Sequence, residues 1–111
     1  RKANMIISGG ENVFPSEVEN CVGSHPDIKD VAVIGIPHEK WGEQVTAVVV
    51  LHEGKKMEPK EVTEWCKGKI AGFKVPKNIY IIPDEEMPRS GAGKILHRIL
   101  RERYGKWGDQ Q

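Results

Sequence analysis

The 111-residue sequence contains little cysteine, few aromatic residues and no excess of charge. The two cysteines have no Cys or His neighbour at zinc-ligand spacing, which argues against a zinc site or any other metal site of the chain's own. Seventeen basic and sixteen acidic residues leave a net charge of +1. No overall field therefore attracts nucleic acid or an anionic membrane, and we expect no nucleic-acid partner.

Long apolar runs are also missing. No stretch approaches the roughly 20 apolar residues of a transmembrane helix, so we expect no stable membrane insertion. No signal peptide opens the chain. Cys21 and Cys66 each fall on the apolar stripe of a predicted helix, which favours buried thiols in a reducing compartment. We therefore expect a cytoplasmic protein, while a disulfide between the two cysteines stays open as an alternative.

A complete catalytic set is lacking as well. The four histidines are scattered, and no Ser-His-Asp arrangement can be assembled from them. The chain begins without methionine, on Arg1-Lys-Ala-Asn4, so we expect residues 1–111 to be one domain of a longer enzyme. From its residues alone, the chain is interpreted as an accessory domain that brings one lysine to chemistry held elsewhere.

Short strands alternate with helices along the chain. Pro15 opens the first helix, where Ser16 and Glu19 have capping-box spacing, and Gly23 ends it. β-branched or apolar runs predict extended segments at 4–8, 31–36, 45–51 and 79–82. Further helices are predicted at 59–70 and 95–104. We expect an α+β fold with a small mixed sheet of about three strands and three flanking helices.

A glycine-rich loop ending in a lysine is the feature that best predicts chemistry. In Pro88-Arg-Ser-Gly-Ala-Gly-Lys94, two glycines allow a tight bend and close approach to a ligand. The predicted helix directly after it would add free N–H groups and the positive end of its dipole. A flexible ammonium there could meet developing negative charge. The spacing is not that of a phosphate-binding P-loop, because Pro88 and Ile95 replace the required Gly and Ser or Thr.

Four motifs together resemble a known family. The segments Met5-Ile-Ile-Ser-Gly-Gly-Glu-Asn-Val-Phe-Pro-Ser-Glu-Val-Glu19, Val31-Ala-Val-Ile-Gly-Ile-Pro-His-Glu-Lys-Trp-Gly-Glu43, Phe73-Lys-Val-Pro-Lys77 and Pro88-Arg-Ser-Gly-Ala-Gly-Lys-Ile-Leu-His-Arg98 occur in this order. They are similar to signatures of the C-terminal domain of AMP-forming acyl-CoA synthetases, whose superfamily includes luciferase and peptide-synthetase adenylation domains. The large N-terminal domain of that family, with its ATP and acyl pockets, is absent from the sequence.

The resemblance implies a two-step reaction. A carboxylate, which we expect to be a fatty or medium-chain acid, and Mg²⁺-ATP would form an acyl-adenylate, and CoA would then displace AMP. Lys94 would be the catalytic lysine of the first step. The C-terminal domain would then rotate about a hinge at Ala3, where the family usually has Asp or Lys. The loop Ser8-Gly9-Gly10 would replace Lys94 in the second step, because glycines suit a narrow pantetheine tunnel.

The resemblance also implies a CoA-binding set. Trp41 and Phe73 would pack on the adenine of CoA, and Lys77 would meet phosphate. Ordinary core packing of the two aromatics stays open as an alternative. Val75 stands where some CoA ligases have a basic residue, so the contact could shift to Lys74. The implied partners are the N-terminal domain of the same chain, a carboxylate, ATP and CoA.

Three other functions stay open. The parent enzyme could load a carrier protein, or oxidise its adenylate as luciferase does. The 111 residues could also be an isolated domain without activity of its own, and we expect no turnover from them alone. The sequence at 41 and 73–77 favours free CoA as the acceptor, since a carrier protein brings its own pantetheine.

Overall fold

A single mixed sheet forms the centre of the molecule. The computed structural model describes residues 5–105, and in that part of the chain the sheet has five strands and three α-helices flank it. The elements are β1 (Ile6–Ser8), β2 (Glu11–Val13), α1 (Pro15–Gly23), β3 (Ile28–His38), β4 (Gly42–Leu51), α2 (Pro59–Cys66), β5 (Asn78–Ile81) and α3 (His97–Tyr104). Short 3₁₀ helices lie at Gly72–Lys74 and Asp84–Glu86.

The strand β4 organises the sheet. It pairs antiparallel with β3 along its whole length, from Ile28↔Leu51 to His38↔Gly42. On its other side it pairs in parallel with β5 and, through Ser8↔Gly42, antiparallel with β1. β1 pairs with β2 in turn. The predicted α+β class and mixed sheet are confirmed, but the sheet has five strands rather than about three.

Several predicted boundaries were wrong for identifiable reasons. α2 ends at Cys66 rather than at residue 70, because the chain turns at Gly68, which has a φ of +82°. The last helix begins at His97, since residues 88–96 are taken up by a hairpin. The predicted capping box of α1 does not form: Phe14 is its N-cap, and no side chain caps this end.

The sheet separates two apolar cores, because side chains on a strand alternate between its faces. α1 and α2 cover one face, where Val33, Val45, Ala47 and Val49 pack. α3 covers the other, where Leu100 packs against Ile34, Ile36, Val48 and Val50. The β3–β4 pair is therefore the part of the sheet that is covered on both faces.

Residues 5–105 contain neither a membrane-spanning helix nor a cluster of metal-ligating side chains. The longest helix among residues 5–105 is α1, with nine residues, and none there is long and apolar enough to cross a membrane. Over the same residues, no group of three or more His, Cys, Asp or Glu side chains is placed to hold a metal ion.

Candidate functional site

The turn between β1 and β2 is built from two glycines. Gly9 and Gly10 have φ values of +59° and +83°, the left-handed conformation that a two-residue type I′ hairpin requires at both positions. Ser8 and Glu11 pair across the turn. The Gly9 N–H donates to the Trp41 carbonyl over 2.9 Å, which ties the turn to the loop between β3 and β4.

The ring of Trp41 lies directly against Gly9. A Cβ added at Gly9 would approach the Trp41 Cε3 atom to 3.3 Å, so the absence of a side chain lets the ring pack there. The His38 Nδ1 accepts hydrogen bonds from the N–H groups of Lys40 and Trp41, which shape this loop. Trp41 remains 41% exposed, so its outer face is available to a ligand.

These residues line a pocket of about 170 Å³. The lining residues come from three separate parts of the chain: Ser8, Gly9, Glu11, Trp41, Gln44, Val45, Phe73, Val75 and Lys77. Five of the six residues predicted for the thioester loop and for CoA binding are among them, and Gly10 is the exception. Phe73 is 43% exposed, like Trp41, so neither aromatic is a core residue. The pocket thus offers two aromatic surfaces, a lysine and a glycine turn.

The wall of the pocket contains features that the sequence did not predict. Glu11 adds an acidic group, and the Gln44 Oε1 atom is buried without a hydrogen-bond partner in the described chain. Val75 is buried beneath the pocket. The neighbouring Lys74 is not free to replace a basic residue there, because its Nζ atom is 2.9 Å from Glu17.

Lys94 lies on a closed hairpin rather than on a helix end. The Ser90 N–H donates to the Lys94 carbonyl over 2.8 Å, and the Leu96 N–H donates to the Pro88 carbonyl over 2.9 Å. α3 begins only at His97, three residues later, so the predicted role of its N-terminus beside Lys94 is wrong. The lysine side chain is exposed, and it forms no ion pair within residues 5–105.

Each end of this hairpin is attached to β3. At the first end, the Arg89 Nη2 atom is 2.9 Å from both Asp30 and Asp84. The hydrogen bond from Lys29, together with that from Arg89, lowers the pKa of Asp84. At the second end, His97 Nε2 lies 2.6 Å from Glu19 Oε2, which also accepts the Val33 N–H.

The pocket and the lysine hairpin meet different parts of β3. Arg89 contacts Asp30 near the start of β3, whereas Trp41 follows His38 at its end. Eight residue steps at about 3.3 Å each place Asp30 and His38 roughly 26 Å apart along the strand. The other end of the hairpin, His97, is joined through Glu19 to Val33 in the middle of the strand.

Comparison with known proteins decides the family. The family described as the AMP-binding enzyme C-terminal domain matches residues 17–94, more than half of the chain. The chain belongs to this family.

Sequence relatives of this C-terminal domain are CoA ligases with different acids in their names. It is 47% identical over 102 residues to an indoleacetate–CoA ligase of Aromatoleum aromaticum, covering 92% of the chain and 20% of that protein. It is 44% identical over 104 residues to the long-chain-fatty-acid–CoA ligase FadD13 of Mycobacterium tuberculosis, covering 94% and 20%. The chain thus spans about a fifth of the length of these relatives.

Solved structures share the fold of this AMP-binding enzyme C-terminal domain. The ATP-bound MatB of Rhodopseudomonas palustris superimposes with a TM-score of 0.88 at 38% identity, over 96% of this chain and 21% of MatB. The match extends over nearly the whole chain, so the described architecture is that of the family rather than of an isolated fragment.

Two findings complete the account of the predicted site. Ala3, the predicted hinge of the domain, lies outside the described residues.

Glu19 was not predicted to contact the base of the Lys94 hairpin, because its spacing from Ser16 indicated a helix cap. Only the fold brings it to β3 and His97, which are 14 and 78 residues away.

Proposed function

We propose that this chain is the rotating C-terminal domain of an AMP-forming acyl-CoA ligase. The parent enzyme would activate a carboxylic acid with ATP and transfer the acyl group to CoA. The observation that carries the proposal is the separation of the predicted residues into two groups on one sheet. Five residues predicted for the second step line the pocket, whereas the Lys94 hairpin is attached to β3 at Asp30 and, through Glu19, at Val33.

Lys94 would act in the adenylation step. Its exposed ammonium, delivered by a closed hairpin, would bridge the acyl carboxylate and the α-phosphate of ATP. There it would stabilise the negative charge that develops as the carboxylate oxygen attacks phosphorus and pyrophosphate leaves. The family resemblance implies that the N-terminal domain of the same enzyme would bind ATP with its Mg²⁺ and the acid.

The pocket would serve the thioester step. Trp41 and Phe73 present exposed ring faces of the kind that pack on adenine, and Lys77 supplies a cation for phosphate. Ser8 and Gly9 would line the path of the pantetheine arm. Because Lys94 is not among the residues that line the pocket, the domain would rotate between the two steps, and Ala3 remains our proposed hinge.

The acyl group is not set by these residues. Relatives at 47% and 44% identity are named for indoleacetate and for long-chain fatty acids. Activation of a fatty acid therefore stays a prediction, and the acid has to be measured.

The test is AMP release by the intact parent enzyme with ATP, CoA and a panel of acetate, fatty and aryl carboxylates. We expect CoA-dependent release with one class of acid. Lys94→Ala should lower acyl-adenylate formation by about 10²–10³, the usual effect of removing one charge-stabilising donor, and affect thioester formation from preformed adenylate far less. Lys56→Ala, an exposed lysine on the loop before α2, is the matched control.

Two results would contradict the proposal. Equal loss in both half-reactions of Lys94→Ala would remove the division of labour between the hairpin and the pocket. Acyl-adenylate formation without any CoA-dependent release of AMP would instead assign the enzyme to carrier-protein loading or to luciferase-like chemistry, and the pocket would lose its proposed ligand.

A further inference from the structure

Glu19 makes an unusual set of contacts for a helix carboxylate. It lies in the middle of α1, yet its side chain is only 23% exposed. Its Oε2 atom accepts the N–H of Val33 over 2.9 Å and lies 2.6 Å from His97 Nε2. β3 is the edge strand on this side of the described sheet. Glu19 therefore accepts a hydrogen bond from a backbone N–H that is not used by a neighbouring strand. One carboxylate thus joins α1, β3 and α3.

His97 occupies the point where the lysine hairpin meets the fold. It is the first residue of α3 and follows Lys94 by three residues. The tip of the hairpin, Gly91-Ala92-Gly93, is exposed, and Cβ atoms added at its two glycines would meet nothing within 4 Å. Packing at the tip therefore does not orient the lysine. Its position depends on how the two ends of the hairpin are held.

The opposite end of the hairpin is held independently. Arg89 forms 2.9 Å ion pairs with Asp30 of β3 and with Asp84. Glu19 and His97 make the second attachment to the same strand, three residues further along. Two attachments to one rigid strand are what a flexible lysine needs to be presented in a defined place.

We propose that Glu19 and His97 are positioning residues that orient the Lys94 hairpin for the adenylation step. This inference rests on the proposed function of Lys94. Neither residue would touch the substrates. Their effect would be on where the ammonium sits when the carboxylate attacks, and small misplacements of reacting groups are costly in rate.

The charge of His97 gives the proposal a signature that a passive packing role lacks. The hydrogen bond with Glu19 raises the pKa of His97 above its usual 6.5. Burial and the charge of Arg101 lower this pKa, and a hydrogen bond with the Ile95 backbone raises it further. Below that raised pKa the pair is charged on both sides. As pH rises through it, the imidazole becomes neutral and the hydrogen bond to Glu19 weakens.

The experiment measures both half-reactions of the intact parent enzyme between pH 6 and 9, in single-turnover mode. Variants are Glu19→Gln, His97→Gln and His97→Arg, which keeps a cation at every pH. Glu102→Gln is the matched control, since it removes the same charge from an exposed ion pair on α3, with Arg98. Thermal unfolding of each variant separates positioning from folding.

We expect Glu19→Gln and His97→Gln to lower adenylation about tenfold at pH 6.5, the effect of losing one charge-assisted hydrogen bond. Thioester formation from preformed adenylate should change less than twofold, as should both rates of Glu102→Gln. His97→Arg should retain adenylation, and its rate relative to the unmodified enzyme should increase as pH rises. If Glu19→Gln does not fold, the pH dependence of the His97→Arg adenylation rate, relative to that of the unmodified enzyme, tests the positioning role.

Equal loss in both half-reactions, or a ratio that does not change with pH, would overturn the inference. If Lys94→Ala abolishes adenylation while Glu19→Gln and His97→Gln leave it intact, the positioning role fails and the proposed function stands. If Lys94→Ala leaves adenylation intact, both fail.

Discussion

The contact between Gly9 and Trp41 supports a quantitative prediction about the thioester step. Gly9→Ala introduces two penalties. The first is the left-handed backbone at φ +59°, which costs a residue with a Cβ about 1–2 kcal/mol. The second is specific to this place, because the new Cβ would lie 3.3 Å from Trp41 Cε3 and would have to displace the ring or the turn. A shift that breaks the 2.9 Å Gly9–Trp41 hydrogen bond adds about 1 kcal/mol.

Gly10→Ala is the matched control for this prediction. Gly10 has the same kind of backbone, with a φ of +83°, but a Cβ there meets nothing within 4 Å. It carries the first penalty without the second. The difference of about 1 kcal/mol corresponds to roughly fivefold in rate. We therefore expect Gly9→Ala to slow CoA thioester formation at least about fivefold more than Gly10→Ala does.

The assay follows acyl-CoA formed by the intact enzyme from preformed acyl-adenylate and CoA, with adenylation measured as an internal reference. The two alanine variants are then repeated in a Trp41→Ala background. If Trp41 is the cause, the excess effect of Gly9→Ala disappears there. Equal effects of the two glycine variants, or an excess that persists without Trp41, would refute this account of the glycine.

Three further predictions concern the fold itself and use the 111-residue chain. Leu100, on the inner face of α3, is fully buried, so Leu100→Ala should lower the free energy of unfolding by about 2–5 kcal/mol in denaturant titration. Arg98→Ala, at an exposed position of the same helix, should lower it by less than about 1 kcal/mol. Burial raises the pKa of Cys66 to about 12, so mass spectrometry should find it unalkylated at pH 8 in the native chain and alkylated after denaturation; a native adduct would contradict its burial. The stability advantage of the unmodified chain over His97→Gln should be greatest below pH 6.5 and decline as pH rises through the raised pKa, and a rising advantage in thermal unfolding would contradict the ion pair.

Most of the fold could be predicted from local patterns, and the errors have physical causes. The runs at 31–36 and 45–51 predicted β3 and β4 because β-branched residues favour strands, but both strands are longer, since each supplies the other with backbone partners beyond those runs. β2 was missed although its signal was present. Two glycines between short extended segments are typical of a tight hairpin, and here they form one.

The candidate site was predictable in its members but not in its geometry. Motif resemblance selected Ser8, Gly9, Trp41, Phe73 and Lys77, and these five do line one pocket. Nothing in the motifs indicated that the Trp41 ring packs on Gly9. That contact joins positions 32 residues apart, and it depends on the pairing of Ser8 with Gly42 at the end of β4.

Local chemistry along the chain was enough to establish an α+β domain with two glycine turns and a lysine at the end of the second one, because strand preference, proline at helix starts and glycine in turns act within a few residues. The separation of Asp30, which holds the lysine hairpin, from His38, beside the pocket loop, depends on the length of β3, which its hydrogen bonding with β4 sets. The partners of Glu19 were likewise chosen by the fold, since a carboxylate that could cap its own helix bonds instead with an unpaired strand N–H and with His97. Such contacts join residues far apart in sequence, so no local pattern encodes them.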